Sequence, residues 1–428
     1  MRVLIIGNGG REHAIGWKLR QSPQLKELFF TPHNAGLSKI AEPADVTVSD
    51  FDTVKDFCKK NAIDLVAIGP EAPLVAGLSD FLQENGITVF GPRKADARLE
   101  GSKTFAKRLM QQNNISTAEF ESFDNLGDAL AYIEKKPFPQ VIKADGLAAG
   151  KGVIIVENVK SAKELLEEIF IKNKFGSAGN TVVVEEFMQG QEISLLAFTD
   201  GVTVLPMVEA QDYKPIYDND EGPNTGGMGC YSPVPSISKE MLHNIISTVV
   251  EPTVYALSSR GLIYQGVLYT GIMLTEQGPK VLEYNARFGD PETQVILPRM
   301  ETDLLEVMLA TANQELSKID LDFNDKVCLS VVLASGGYPQ TYQTGYEITG
   351  IEKAEKTGAT VFHAGTMLKN DKVLTNGGRV LNVTAVAADF KEARETVYKA
   401  CSQIDFNYKY NRSDIGLRAL QHLSYSNS

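Results

Sequence analysis

Residues 282–294 read LEYNARFGDPETQ, and this stretch decides the fold. It closes the apolar run KVLEYNAR (280–287), which predicts a strand with Glu283, Asn285 and Arg287 at every second position. Side chains at i and i+2 of a strand share one face. Three polar groups on one face of an apolar strand are costly if buried without partners. That cost argues against a purely structural role and for a ligand. A carboxylate and an amide oxygen are hard donors suited to Mg²⁺, which fills its remaining positions with water and substrate phosphates. A guanidinium beside them suits a negatively charged oxygen. Asp290 and Glu292 follow in the loop, placed to orient a substrate or a water. The run GVLYTGIML (266–274) predicts the antiparallel neighbour, joined through a turn at Gln277, Gly278 and Pro279.

Upstream lie the pieces that would serve such a face. KADGLAAGKGV (143–153) reads as a glycine-rich hairpin framing Lys143 and Lys151, with Gly146, Gly150 and Gly152 supplying backbone freedom. Backbone N–H groups and lysines of this kind can close over a triphosphate. The order is not that of a P-loop, and the bland alternative is a solvated surface turn. A helix is expected from Ser102 to about Gln112, and another after a capping box at Ser161 and Glu164. TVVVEEF (181–187) predicts a strand ending in acids; Phe187 suits an adenine slot, with Glu185 and backbone groups on the base edge and Glu192 on ribose hydroxyls. Residues 211–236 show little periodicity and predict a long functional loop. Within it Asp212 and Lys214 form a charged pair, Asn224 and Thr225 offer hydrogen bonds, and Gly226, Gly227 and Gly229 permit close approach to a ligand. Pro252 predicts a kink or break in the helical pattern 239–259.

The first hundred residues predict an open α/β unit, with strands at 2–7, 26–31, 64–68 and 87–90. Gly7, Gly9 and Gly10 miss the dinucleotide fingerprint because Glu12 stands where its third glycine belongs. A backbone cradle for one phosphate or a sugar is expected instead, assisted by Arg11 and His13, with Asn34, Gly36 and Glu71 at neighbouring strand ends. From about residue 326 a small α+β unit is expected: strands at 327–334, 360–363 and 379–386, then a helix near 390–403 that Asp389 can cap. Residues 407–428 are expected to wrap the surface.

Composition bounds the rest. At 428 residues, 43% apolar and 22% charged, the chain is expected to be soluble and to fold as several domains. A net charge of −12 disfavours a nucleic-acid footprint. No signal peptide or membrane-length apolar run is read, and four scattered cysteines read as free thiols, so the cytoplasm is the expected location.

Taken in order, IIGNGGREHAIG (5–16), GPEAPLVAG (69–77), ADGLAAGKGV (144–153), EEFMQGQEIS (185–194), GPNTGGMGCYSP (222–233) and EYNARFGDPETQ (283–294) resemble the phosphoribosylamine–glycine ligases of purine synthesis. GYP (337–339), VFHAG (361–365) and TNGGRVL (375–381) extend the resemblance over nearly the whole chain. It implies a multidomain ATP-grasp fold: an N-terminal open α/β preATP-grasp domain (1–101), an ATP-grasp domain (102–325) with a nucleotide-closing lobe at about 121–189, and a C-terminal α+β domain (326–428). It further implies ATP as co-substrate and Mg²⁺ or Mn²⁺ on Glu283 and Asn285. Nucleotide contacts would fall on Lys103, Lys143, Gly146, Gly150, Lys151, Gly152, Glu185, Glu186, Phe187 and Glu192. Glycine would be activated as glycyl phosphate, with Arg287, Lys143, Asp212, Lys214 and Asp290 at the reacting centre. 5-Phosphoribosylamine would lie across Gly9, Gly10, Arg11, Asn34, Gly36 and Glu71 and the loop Asn224, Thr225, Gly226 and Gly227. A monomer or weak dimer, with no membrane or nucleic-acid partner, is expected. Rival readings are another ligase of the same fold or a nucleotide-binding protein without turnover.

Overall fold

The computed structural model of the protein describes residues 1–148 and 152–426. Arg2–Ile6 is the central strand of a five-stranded parallel sheet, ordered Glu42–Pro43, Glu27–Phe30, Arg2–Ile6, Leu65–Ile68, Val89–Phe90. Its alternate residues serve two cores. Leu4 and Ile6 pack with Val54 and Leu78, whereas Val3 and Ile5 pack with Ile15 and Leu19. Helices therefore cover both faces, as a parallel sheet requires.

A second sheet is antiparallel, ordered Phe120–Phe123, Val182–Glu186, Gln140–Ala144, Val153–Val156, and helices Leu126–Ile133 and Val159–Phe170 back it. The expected capping box at Ser161 and Glu164 is overturned. Asn158 caps the helix, accepting from the Ser161 N–H at 3.0 Å while the Ser161 hydroxyl receives the Asn158 N–H at 3.3 Å. Asn caps as well as Ser does, and it starts the helix three residues upstream of the expected place.

A third, antiparallel sheet runs Val204–Pro206, Gln191–Thr199, Gly266–Thr275, Gly278–Asn285. It faces the second across a cleft. Beyond it, helix Lys239–Ile245 continues through a π-helical turn, Ile246–Val250, into Glu251–Ser258. Pro252 sits in the first turn of that last segment, where its missing N–H is tolerated and the π turn absorbs the mismatch.

The expected loop at 211–236 proves to be structured. Gln211–Asp212 and Gly229–Ser232 are strands of a six-stranded sheet with Val327–Ser335, Arg379–Ala387 and Thr360–His363, and Lys409–Tyr410 pairs onto it. Between the first two lies a hairpin, Pro215–Tyr217 with Glu221–Asn224. Strands of two to four residues are too short to show a period. The sheet therefore takes strands from both sides of the expected boundary at 325/326. The segment after residue 407, expected to wrap the surface, is anchored by the fully buried Arg412 and Ile415 and continues as the helix Leu417–Ser426. All four cysteines are buried free thiols. Among the described residues, no helix is long and apolar enough to cross a membrane.

Candidate active site

The cleft between the second and third sheets has a volume of about 960 Å³ and reaches the C-terminal ends of the parallel strands. Strand Gly278–Asn285 forms its floor, with Glu283 opposite Gly271 of the neighbouring strand. Glu283, Asn285 and Arg287 all line the cleft; the first two share a strand face, whereas the strand ends at Asn285, short of the expected 287, and Arg287 follows in a bend. Burial penalises charge on Glu283, but Lys214, Lys143, Lys103 and Arg287 outweigh that penalty and hold its pKa below the ordinary value. Arg287 is in turn neutralised. Its Nε lies 3.2 Å from Glu71, and one Nη lies 2.9 Å from Glu100 and donates to Asn285 Oδ1 at 3.2 Å. Glu100 also accepts the Ala286 N–H at 2.7 Å, which pins the strand end.

An ionised carboxylate and an amide oxygen, adjacent on one strand and facing open space, fit a hard divalent cation. Among the described residues, no three His, Cys, Asp or Glu side chains form a metal-holding group. These two donors therefore suit an ion that takes its other ligands from phosphates and water.

On the opposite wall Lys143 Nζ bridges the two sheets, 2.9 Å from Glu185 and 3.2 Å from the Leu282 carbonyl oxygen. The same Glu185 oxygen is 2.9 Å from Lys107, whose pKa burial lowers to about 8. Both lysines sit on Glu185 Oε2, while its buried Oε1 has no hydrogen-bond partner among the described residues. Lys107 was missed, although it stands four residues after Lys103 on one helical face, a spacing that was available to find it. Lys103 lines the cleft and donates to the Gly146 carbonyl at 3.3 Å. Ser102 caps its helix, accepting from the Phe105 N–H at 3.1 Å. Asp145 accepts from the Thr104 N–H at 2.6 Å and the Ser102 hydroxyl at 3.0 Å, tying the hairpin base to that helix. Gly152, Glu186 and Phe187 line the cleft; Gly146 packs instead against Ala178. Gly150 and Lys151 lie outside the described residues.

Asp212 and Lys214 do form the expected pair, at 3.5 Å, and Lys214 also contacts Glu192. Burial disfavours charge on Lys214, yet Asp212 and Glu192 hold its pKa well above the ordinary lysine value. Beyond them lies Glu292, only 4% exposed, which accepts from the Ser194 hydroxyl at 3.2 Å and the Tyr269 hydroxyl at 3.1 Å. Burial and the nearby Asp212 raise its pKa to about 7. Asp290 faces Arg379 at 3.4 Å, and that arginine, with Arg11, keeps its carboxyl below the usual range against the cost of burial. Arg379 also donates to the Gly226 carbonyl, while Tyr338 Oη accepts the Gly226 N–H at 3.0 Å. Tyr338, Arg379, Tyr269, Ser194 and Glu100 were not singled out, although Tyr338, Arg379 and Ser194 fall in the GYP, TNGGRVL and EEFMQGQEIS stretches and Tyr269 in the run 266–274.

The N-terminal edge is only partly in the cleft. Arg11 and Glu71 line it, as do Asn224, Thr225 and Gly226. Gly9, Gly10, Asn34, Gly36 and Gly227 do not line it. Gly7, Gly9 and Gly69 pack against the Glu12 side chain. Glu12 accepts the Gly9 N–H at 2.7 Å, and a Cβ on Gly69 would fall 2.0 Å from its carboxylate. A Cβ on Gly10 would meet Asn382 and Gln294 at 2.7 Å. Asn34 is fully buried; it donates to the His363 carbonyl at 2.7 Å and accepts from Gly36 and Leu37 N–H groups at 2.9 Å. Gly36 sits against the rings of His13 and His363, and Gly227 against Pro291. These residues seal the seam between the N-terminal and C-terminal parts.

Comparison with known proteins agrees with this arrangement. Models of the phosphoribosylglycinamide synthetase N domain, ATP-grasp (A) domain and C domain match residues 1–100, 101–293 and 328–418. The phosphoribosylamine–glycine ligase of Caldanaerobacter subterraneus is 47% identical over 97% of this chain and 99% of its own. The trifunctional purine biosynthetic protein adenosine-3 of Gallus gallus is 50% identical over 99% of this chain, which spans 43% of it. The crystal structure of phosphoribosylamine–glycine ligase from Thermotoga maritima superposes with a TM-score of 0.85 at 36% identity, covering 97% of this chain and 100% of that one. A biotin carboxylase domain from Hydrogenobacter thermophilus, at 16% identity and a TM-score of 0.73 over 96% and 91% of the two chains, shares the fold alone.

Proposed function

The chain belongs to the phosphoribosylglycinamide synthetase family, and from that premise we propose which of its residues carry the ligation. The protein joins glycine to 5-phosphoribosylamine, giving phosphoribosylglycinamide, ADP and phosphate, as a ligase of purine biosynthesis. The observation that carries the residue assignment is the face of strand Gly278–Asn285. There a carboxylate is held ionised by three lysines and an arginine, across an open cleft from a glycine-rich hairpin.

ATP-grasp proteins use ATP with a divalent cation. Here Glu283 and Asn285 would hold Mg²⁺ or Mn²⁺, and the ion would supply charge neutralisation on the triphosphate oxygens. Lys103 and Lys143 reach the phosphates, with Lys143 oriented by Glu185, and Lys107 shares that carboxylate. The adenine lies against Phe187 and is read by backbone groups of 186–188, with Glu192 on the ribose.

Glycine's carboxylate oxygen attacks the γ-phosphorus and ADP leaves. The amine of phosphoribosylamine then attacks the glycyl carbonyl, and phosphate leaves. Arg287 holds the carboxylate and then the acyl phosphate; its pairing with Glu71 and Glu100 fixes the fork in place. Glu292 and Asp212, two buried carboxyls near Lys214, provide an acceptor for the proton that the attacking amine sheds. Closure of the hairpin excludes the water that would hydrolyse the acyl phosphate. The domain division 1–101, 102–325 and 326–428 is retained as a functional one, with the lobe at 121–189 closing on ATP.

The test is product analysis with ATP, labelled glycine and freshly generated phosphoribosylamine. Stoichiometric ADP and labelled glycinamide ribonucleotide are expected. Phosphate release without labelled product would remove the acceptor assignment.

A further inference from the structure

The hairpin that delivers Asn224, Thr225 and Gly226 to the cleft has little support of its own. Strand Glu221–Asn224 is exposed along its length. At its tip Asn219 and Asp220 both adopt left-handed backbone, with φ of 57° and 59°. Asn and Asp tolerate that region better than other residues with a Cβ, yet two in succession still carry a cost. What holds this tip comes from the far end of the chain.

Arg412 is fully buried although it is the longest cation available. It donates to the Pro215 carbonyl at 2.9 Å and to Asp220 at 3.1 Å on the hairpin. Its other two nitrogens grip Asp414 at 2.8 and 2.6 Å. Asp414 in turn accepts the Asn219 N–H at 3.0 Å, and Asp218 accepts the Ser413 N–H at 2.8 Å. Tyr213, at the root of the hairpin, lies beneath the guanidinium groups of both Arg412 and Arg418, at 4.8 and 4.2 Å. Its hydroxyl accepts the Gly416 N–H at 3.0 Å. A surface tail needs none of this. A fully buried arginine is spent on one carbonyl and two carboxylates, one of them at the tip of an active-site hairpin.

The geometry matters because both roots of the hairpin are in the cleft. Pro215 follows Lys214 directly, and the Thr225 N–H and hydroxyl donate to the Lys214 carbonyl at 2.8 and 2.7 Å. Gly226 shares Arg379 with the carbonyl of Asp290, which is 2.7 Å from that arginine. Moving the tip therefore moves Thr225 and Gly226, on the Arg287–Asp290 side of the cleft, together with the Lys214 carbonyl that Thr225 holds.

We propose that residues 409–418 are a latch that sets the acceptor end of the cleft, with Arg412 as the positioning residue that fixes the 213–227 hairpin by its fork between Pro215, Asp220 and Asp414. The proposal rests on the ligase reading above. It makes the last part of the chain a determinant of acceptor capture, distinct from nucleotide binding.

Arg412→Lys keeps the charge but loses the fork. The expected result is a rise of about tenfold in KM for phosphoribosylamine with KM for ATP within twofold of wild type. Because Arg412 is buried, the double variant Asp218→Asn with Asp220→Asn, made at the hairpin tip, serves as the second arm. It should raise the same KM about threefold and speed amide hydrogen exchange over 216–226 without changing exchange in 239–258. Unchanged KM for phosphoribosylamine in a folded Arg412→Lys, or KM for ATP and for the amine rising in parallel, overturns the latch. If Arg412→Lys does not fold, the double variant alone decides on the same criteria. Should wild-type protein form no glycinamide product, the ligase reading fails by itself. The latch is then judged by exchange, and unaltered protection of 216–226 in the double variant rejects it.

Discussion

Replacing Glu283 by Ala removes the one ionised group on the cleft floor that four cations surround. A loss of about 10³-fold in kcat/KM is expected, since a metal–phosphate clamp is worth several kcal/mol and about 1.4 kcal/mol is a factor of ten. Coupled ADP release with far-UV circular dichroism as the fold control checks this, and near-normal turnover at saturating Mg²⁺ would falsify the metal assignment. Glu292 makes a different prediction. An ordinary glutamate titrates near 4.5, and this one near 7. Between those values the unfolded chain loses its proton while the folded chain keeps it. Stability from the neutral carboxyl is thus full below pH 4.5 and is lost as pH rises to about 7. Glu292→Gln should flatten that part of the Tm-against-pH curve and lower kcat by about tenfold or more; a variant with the wild-type pH slope would show that the carboxyl titrates elsewhere. The shared face of Glu283 and Asn285 was legible because strand geometry dictates it; Arg287, past the strand's end, is placed by Glu71 and Glu100. Glu292 was legible only as a polar residue after a strand. Its environment is made by Ser194, Tyr269 and Asp212, which lie 98, 23 and 80 positions away, and no local pattern encodes that.

At the scale of elements, the glycine-rich hairpin is anchored to helix Lys103–Gln112 through Asp145. A carboxylate accepting N–H groups at a helix start is favoured by the local dipole as well as by the hydrogen bonds. Asp145→Ala should loosen that anchor, raise KM for ATP about tenfold and let phosphate escape without product. The ratio of phosphate to glycinamide ribonucleotide measures this, and a ratio that stays at one argues against the anchor. Most long elements were legible: the strands at 2–6, 182–186 and 266–275 and the Ser102 cap all follow from apolar runs and cap chemistry. What failed was short. The strand at 211–212 rests on 229–232, and that strand gains its identity only from a partner about a hundred residues later. The surroundings of Gly7, Gly9 and Gly10 were illegible for a related reason. The sequence shows glycines there but not that Gly7 and Gly9 lie against Glu12 and Gly10 against Asn382 and Gln294.

At the scale of the molecule, the N-terminal and C-terminal parts meet through two buried histidines. His13 Nδ1 accepts the His363 N–H at 2.7 Å, and burial lowers the His13 pKa from 6.5 to about 3. His363 is depressed in the same direction by its burial, with His13 beside it. Above pH 6.5 both are neutral in either state and their contribution is intact. Below it the unfolded chain takes up protons that the folded seam refuses, so stability falls as pH drops toward 3, by up to about 1.4 kcal/mol per pH unit for each histidine. Urea titrations at pH 7 and 4.5 should show this loss, and His13→Asn should reduce it; an unchanged pH dependence would place the acid sensitivity elsewhere. The family and the ligase chemistry were legible from motifs spread along the chain. This seam was not, because it joins residues 350 positions apart with no charge or period to announce it.

The six-stranded sheet also has a history on the ribosome. Strand Gly229–Ser232 pairs with Val327–Ser335, and that strand with Arg379–Ala387. At roughly 5–20 residues per second, the earlier strands emerge on the order of ten seconds before the last partner is translated. During that interval an apolar edge stands open to other nascent chains. Chaperone dependence should therefore peak while residues 233–387 are being made, and slower translation across residues 330–390 should lower the soluble yield without altering the finished enzyme.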